Sequence, residues 1–395
     1  MTDALHRPLY MRRAGFDPAP ELAALRDSGG TARVRTPFGR DAYLVTGYEA
    51  VRDVLADTAT FSNGLPTDGQ DGPGRGSNRY QVGNLLTMDP PEHSRLRRLL
   101  TPEFTVRRMR RLESRIAEIV GDHLERMEAL GPPVDLVAHF ALPIPSLVIC
   151  ELLGVPYRDR DEFTERSNRQ LDTSLPRSER QALVAESWAY MARLVAAARD
   201  APGEDMLGML VREHGDAIGT DELVGVAALL LLAGHETTAN MLGLGTLALL
   251  RHPDQLALVR DQPEAVGPAI EELLRWLSIV QGLTPRVTTT AVVLGSQMIP
   301  AGELVVCAPP AANRDPALIE DPERLDVRRG GARHLAFGHG IHHCLGAPLA
   351  RMELTIALPA LLRRFPGLAL AVPFEEVAFR VEHLIYGLHT LPVAW

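Results

Sequence analysis

Cysteine is scarce in this 395-residue chain: only Cys150, Cys307 and Cys344 occur, and the first two sit in apolar runs. So few imply no disulfide framework. A hydrophobic leader is missing as well. Residues 1–8 hold no continuous apolar segment, so neither a signal peptide nor an N-terminal anchor is expected, and the expected location is the cytoplasm. Basic excess is absent too. Lys plus Arg total 41 against 50 Asp plus Glu, and the net charge of −9 argues against a general nucleic-acid binder or a membrane-surface binder. No internal repeat, low-complexity tract or linker breaks the chain, so residues 1–395 read as one domain. With 46% hydrophobic residues, that length buries a large core.

One run approaches membrane character. Residues 223–250 are rich in Leu, Ala, Val and Gly, but a spanning helix wants about 20 apolar residues with few polar ones. His235, Glu236, Thr237, Thr238 and Asn240 stand in its middle. The spacing predicts a long helix buried in a soluble protein, whose central polar group needs a functional explanation. Gly234 removes bulk there, and the adjacent Thr and Glu can divert backbone hydrogen bonds and kink the helix. A buried Glu236 suits proton handling, while a capping or helix–helix polar contact explains the same residues nearly as well.

The rest reads as helices with a minority of strands. A hairpin is predicted from segments 33–35 and 42–45 around Pro37-Phe38-Gly39, followed by a short helix over 48–55. Residues 62–81, rich in Gly, Pro, Asp, Asn and Ser, read as a binding loop or lid. Helical patterns run over 112–130, 137–153, 158–171, 178–199 and 263–277. Strands are predicted at 287–293 and 304–308 about the turn 299–303, and a C-terminal hairpin at 381–395 turns back over the pocket.

The most informative stretch runs from Phe337 to Gly346. Gly338, Gly340 and Gly346 permit positive φ and close approach, so it reads as a shaped loop, and Pro348 suits the first turn of a following helix. A cysteine just before a helix N-terminus meets unpaired N–H groups and the positive end of the dipole, which favour thiolate and make Cys344 a metal-ligand candidate. Two other readings stand beside it. Cys344 is a simple packed thiol, or His334, His339, His342, His343 and Cys344 form a zinc cluster, although no CxxC or HxxxH spacing supports one.

The string Phe337, Gly340, His342, Cys344, Gly346 resembles the haem-binding loop of the cytochrome P450 superfamily, Phe-x-x-Gly-x-His-x-Cys-x-Gly, position for position. Four more segments extend the resemblance over essentially the whole chain. Ala233-Gly234-His235-Glu236-Thr237 resembles the superfamily's oxygen-binding groove. Glu272-x-x-Arg275 resembles its buried Glu-x-x-Arg, with Arg324 as the third member, although Leu325 stands where Phe is usual. His93-x-x-x-Arg97 and Arg286 resemble its propionate contacts.

The resemblance implies a mainly α fold, a triangular helical prism with a small β-rich subdomain. It implies haem b with its iron on Cys344, propionates on His93, Arg97 and Arg286, and Ala233, Phe337, Gly338, His342 and Gly346 around the macrocycle. Glu236 and Thr237 would deliver protons to dioxygen. The implied activity is monooxygenation, hydroxylation or epoxidation, of a lipophilic small molecule, as in tailoring of macrolides, other polyketides or terpenoids. Xenobiotic or steroid oxidation is the alternative. A non-catalytic haem carrier and a thiolate-haem peroxygenase or isomerase are rivals, against which the Glu236-Thr237 pair argues. The implied substrate pocket is Leu85, Leu86, Leu229, Leu232, Ala233, Ile279, Val280, Leu384 and Ile385. No room remains for a flavin or iron–sulfur domain, so NAD(P)H-derived electrons would come through a ferredoxin and its reductase. The basic cluster Arg95, Arg98, Arg107, Arg108, Arg110 and Arg111 is a candidate docking face.

Overall fold

One helix, Thr220–Arg251, runs through the middle of the molecule. Apolar residues on nearly every side make a helix that must be surrounded, and the helices Pro143–Leu153, Arg177–Asp200 and Ala347–Arg364 pack around it. By length and composition it could cross a membrane, but 61% of its most apolar stretch is buried inside the protein. The computed structural model describes residues 7–64, 82–330 and 333–395; the greater part of the expected glycine-rich lid, residues 65–81, lies outside the described residues.

The helix starts where Glu222 accepts a hydrogen bond from the Gly219 N–H, with Asp221 and Glu222 at the positive end of the dipole. It stops ahead of Pro253. It is continuous as a helix through Gly234. The Thr237 and Thr246 hydroxyls donate to the carbonyls of Ala233 and Leu242, at 2.9 and 2.8 Å, sharing backbone acceptors instead of displacing the ladder. Gly234 serves packing: a Cβ there would lie 2.7 Å from Ile149 Cδ1 on the helix Pro143–Leu153.

The predicted hairpin forms strands Thr31–Arg35 and Asp41–Val45, and the short helix spans Tyr48–Ala56. These strands belong to a five-stranded sheet in the order Thr31–Arg35, Asp41–Val45, Leu304–Cys307, Arg286–Thr288, Phe61–Ser62. Asp41–Val45 and Leu304–Cys307 run parallel and the other pairs antiparallel. The strand predicted over 287–293 is in fact two. Arg286–Thr288 enters this sheet, whereas Val292–Leu294 turns at Gly295 (φ +58°) and pairs with Gln297–Ile299. The C-terminal segment doubles back as expected, with the Arg380 N–H donating to the Gly387 carbonyl at 2.8 Å. Gly387 presses on the central helix, where a Cβ would meet Asn240.

The helix Pro263–Leu277 carries the buried pair Glu272–Arg275, bidentate along the Nε/Nη2 edge of the guanidinium at 2.7 and 2.8 Å. Arg275 also donates to the carbonyls of Asn313 (2.9 Å), Pro322 (2.8 Å) and Arg324 (3.3 Å). Here the expectation for Arg324 needs correction. Its guanidinium is exposed and pairs with Asp326 at 2.9 Å, because only its carbonyl faces the pair. The cation that approaches Glu272 from the later loop is Arg329, at 3.6 Å.

Breaking a buried ion pair leaves an uncompensated charge and costs about 3–5 kcal/mol. Glu272→Ala and Arg275→Ala are therefore expected to lower the unfolding free energy by that order in denaturant titration. Arg275→Lys should recover little, since an ammonium cannot reproduce the planar fork. Arg324→Ala should leave stability unchanged, and a loss as large as that of Arg275→Ala would restore Arg324 to the network.

Candidate active site around Cys344

A cavity of about 260 Å³ lies between the central helix and the Cys344 loop, with walls that are mostly aliphatic. The loop is shaped by hydrogen bonds and glycines. The Cys344 N–H donates to the Phe337 carbonyl at 2.8 Å, closing the turn. Gly338 and Gly340 take φ of +71° and +70°, and a Cβ on Gly340 would lie 2.6 Å from the Leu55 carbonyl oxygen, so glycine is required there.

The helix Ala347–Arg364 follows directly. The N–H groups of Gly346 and Ala347 hydrogen-bond the Cys344 sulfur, and Arg97 adds positive charge, but burial outweighs them and pushes the thiol up from its ordinary value of 9.0. A metal ion on the sulfur would reverse that balance, since a coordinating thiol is deprotonated outright.

Four cationic or imidazole groups gather beside the loop. His93 and His342 pack with ring centroids 4.2 Å apart, tilted by 47°. Burial, then the charges of His93, Arg286 and Arg97, pushes His342 down to about 3, so that ring stays neutral at physiological pH. Arg97 donates to the His343 carbonyl at 2.7 Å, which links the helix Glu92–Leu100 to the loop. Arg286 is buried, with Nη1 at 3.3 Å from the Phe61 carbonyl. Both nitrogens of His93, Nε2 of His342 and Nε of Arg286 are buried with no hydrogen-bond partner among the described residues.

On the opposite wall Thr237 and Ala233 face the cavity. Glu236 does not. It is completely buried, with Oε2 accepting from Arg380 Nη1 (3.1 Å) and Asn240 Nδ2 (3.3 Å). The cation paired with Glu236 could not be read locally, because Arg380 lies 144 residues away, whereas the neighbouring His235 places Nε2 3.7 Å from Oε1.

Of the anticipated pocket residues, Leu85, Leu86, Leu229, Ala233, Ile279 and Val280 line the cavity. Leu232, Leu384 and Ile385 are not in its wall. Leu232 falls off the face of the central helix that lines the cavity, although its neighbours Leu229, Leu230, Ala233 and Gly234 are in the wall, Leu384 uses its backbone to bond Leu171 and Gln281, and Ile385 pairs with Val280 while only Val280 reaches inward. The loop residues Phe337, Gly338, His342, Cys344 and Gly346 all border the cavity, as do His93 and Arg97.

Sequence reasoning passed over several wall residues, among them Phe104, Met241, Leu283 and Leu349. Glu353 is the most consequential of these. It sits on the helix Ala347–Arg364, seven positions in, fully buried, with Oε2 unpartnered and its carboxyl pushed well above the ordinary range by burial. The zinc reading finds no assembly. His334 bonds Glu271 (3.2 Å), His342 packs against His93, and no three His, Cys, Asp or Glu side chains gather as a metal site among the described residues.

A cysteine bordering a mostly aliphatic cavity at the N-terminus of a helix, beside basic and imidazole groups, suits a protein that holds a cofactor on a thiolate. Comparison with known proteins narrows this. The family model of cytochrome P450 matches residues 198–367. Cytochrome P450 FAS1 of Rhodococcoides fascians is 48% identical over 394 residues, 98% of each chain. Mycinamicin IV hydroxylase/epoxidase of Micromonospora griseorubida is 42% identical over 385 residues, 96% of each. The structure of P450 StaH from glycopeptide antibiotic A47934 biosynthesis superposes with a TM-score of 0.89 at 46% identity, covering 99% of this chain and 100% of that one.

The chain belongs to the cytochrome P450 family, and is a haem-thiolate monooxygenase with that family's fold. The residues present fit the haem: one thiol, orphaned donors at His93, His342 and Arg286, and an apolar wall between them.

Glu353 yields a test by linkage. A carboxyl whose folded value is raised above its unfolded 4.5 adds stability below pH 4.5 that is lost as pH rises toward the folded value. Glu353→Gln should therefore match wild type in thermal melting near pH 4 and exceed it near pH 8. A variant that falls below wild type at pH 8 would show the carboxylate to be paired.

Proposed function

We propose that the enzyme hydroxylates or epoxidises a lipophilic small molecule in secondary-metabolite tailoring, with Cys344 as the haem ligand. The observation that carries this is the aliphatic cavity closed on one side by the Cys344 loop and on the other by Thr237. Two relatives bear names of this kind, a mycinamicin hydroxylase/epoxidase and a P450 of glycopeptide antibiotic biosynthesis. Steroid or xenobiotic oxidation uses the same groups and differs only in substrate.

The haem supplies dioxygen activation and oxygen insertion, favoured by electron density from a cysteine thiolate. The chain's own residues do the rest. Leu85, Leu229, Ile279 and Val280 desolvate and orient the substrate. His93, Arg97 and Arg286 provide donors for the propionates. The Thr237 hydroxyl, now donating to the Ala233 carbonyl at 2.9 Å, can turn to present its proton to the cavity. Glu236, one residue earlier, replenishes it.

Electrons come, on this proposal, from a cytoplasmic ferredoxin and its NAD(P)H-dependent reductase, with residues 1–395 forming one haem domain. Arg98, Arg107, Arg110 and Arg111 are exposed. Arg95 and Arg108, by contrast, are engaged by Glu222 and Glu103, which leaves the docking face narrower than the sequence suggests. Charge reversal of Arg98 together with Arg111 should slow reductase-supported turnover, and unchanged salt-dependent rates would remove this face.

With isotopically labelled dioxygen, surrogate ferredoxin, reductase and NADPH, a converted lipophilic substrate should gain one labelled oxygen atom. Thr237→Ala and Glu236→Gln should each lower product formation by on the order of 100-fold. Product without labelled oxygen would contradict monooxygenation.

A further inference from the structure

Part of the aliphatic wall stands on a very short element. Leu85 and Leu86 both line the cavity and belong to the single 3₁₀ turn Leu85–Thr87, which has too few hydrogen bonds of its own to hold a position. Contacts at its two ends do so instead. Before the turn, Gly83 presses on the central helix, where a Cβ would lie 2.1 Å from the Glu222 carbonyl oxygen. From a distant segment, Asn63 Nδ2 donates to the Leu86 carbonyl at 2.8 Å.

Asn63 is only 2% exposed, and the orientation of its amide is fixed, since the Leu86 carbonyl can only accept. That leaves Oδ1 buried with no partner among the described residues, an arrangement that costs stability. What the side chain supplies there is its bond to Leu86. Asn63 is held in turn by a carboxylate. Asp89 Oδ1 accepts from the Asn63 N–H at 2.9 Å, and Oδ2 accepts from the Ser62 hydroxyl and, at 3.3 Å, from the Gly64 N–H. Three donors on one carboxylate make a charge-assisted clamp.

The clamp is also tied to the cofactor side of the cavity. The Asp89 carbonyl accepts from the His93 N–H at 3.0 Å, at the start of the helix Glu92–Leu100 that carries His93 and Arg97. Ser62 pairs with Val287 in the sheet, the neighbour of Arg286. One carboxylate therefore joins the segments bearing the three groups assigned to the propionates to the segment that fixes the Leu85–Thr87 turn.

We propose that Asn63 and Asp89 are positioning residues for the substrate, with Asp89 setting Asn63 and Asn63 setting the Leu85 and Leu86 wall at a fixed place relative to the cofactor. The inference rests on Cys344 as the haem ligand and deepens that reading by naming what registers the substrate wall against the haem. Its consequence is a selectivity by size. A lipophilic ligand that reaches the turn depends on Asn63, and a ligand that binds the iron without reaching the turn does not.

Two azoles that ligate haem iron separate these cases. Imidazole is too small to reach the turn, whereas clotrimazole carries three aryl rings into the cavity. In spectral titrations of the wild-type holoenzyme, clotrimazole should show a Kd at least roughly ten-fold below that of imidazole. Asn63→Ala and Asp89→Asn should each weaken clotrimazole about five-fold or more. In Asn63→Ala the imidazole Kd and the reduced, carbon-monoxide-bound spectrum should match wild type. Leu86→Ala removes the wall contact itself, and in that background Asn63→Ala should weaken clotrimazole by less than about two-fold, a non-additivity that a general loss of stability does not produce. Equal wild-type affinity for the two azoles, an unchanged clotrimazole Kd in either single variant, an equal loss of both azoles in Asn63→Ala, or a full additional loss in the double variant overturns the proposal. Failure of the haem-ligand reading shows separately, as a wild-type carbon monoxide spectrum without thiolate character.

Discussion

Two adjacent carboxylates, Glu271 and Glu272, determine where the Cys344 sulfur sits. Glu272 holds Arg275, and Arg275 holds the Asn313 carbonyl. The Asn313 side chain in turn bonds the Ser278 hydroxyl and the Leu335 N–H, two residues before the loop begins at Phe337. Glu271, the next residue along, faces the other way. It takes Arg351 at both carboxylate oxygens (2.6 and 2.8 Å) and His334 at 3.2 Å, one residue from each side of the loop's anchorage. Against burial, which pushes it up, Arg351 and His334 hold Glu271 down to about 2, so the clamp is charged over the whole physiological range. Buried ion pairs are poor sources of net stability, but their geometry tolerates little displacement, and here that rigidity is passed to the ligand loop.

The second constraint is the central helix, which keeps two environments apart at one residue's spacing. Thr237 looks into an apolar cavity, and Glu236 is turned away from it, bonded to Arg380 and Asn240. Close backbone approaches hold the helix in place. A Cβ on Gly225 would fall 1.7 Å from the Val82 carbonyl oxygen, and one on Gly387 would overlap Asn240.

Much of this was legible in the sequence, and for local reasons. The Cys344 loop, the Glu272–Arg275 pair and the buried polar centre of residues 223–250 are contiguous, with spacings that constrain their geometry, and most helices showed clear periodicity. What escaped notice depends on contacts between distant segments. Arg380 meets Glu236 only after the C-terminal segment doubles back. Arg329 displaces Arg324 because a loop turns one carbonyl, not one guanidinium, toward the pair. The strand predicted over 287–293 divides because the chain leaves the sheet at residues 289–291, and the turn at Gly295 then pairs Val292–Leu294 with Gln297–Ile299, a local hairpin that periodicity does not reveal. Glu353 looked like any helical glutamate, and its isolation became evident only once every neighbouring side chain was placed. Leu384 and Ile385 enter the expected pocket only through the family resemblance, and backbone pairing keeps them out of its wall.

The central claim is that Cys344 carries the haem iron as a thiolate. The most direct measurement is the absorption spectrum of the purified holoprotein, reduced and exposed to carbon monoxide, for wild type and Cys344→Ala. A strongly red-shifted Soret band in wild type that disappears in the variant is the predicted result. A wild-type spectrum typical of imidazole-ligated haem, or a red-shifted band that survives in Cys344→Ala, would contradict it.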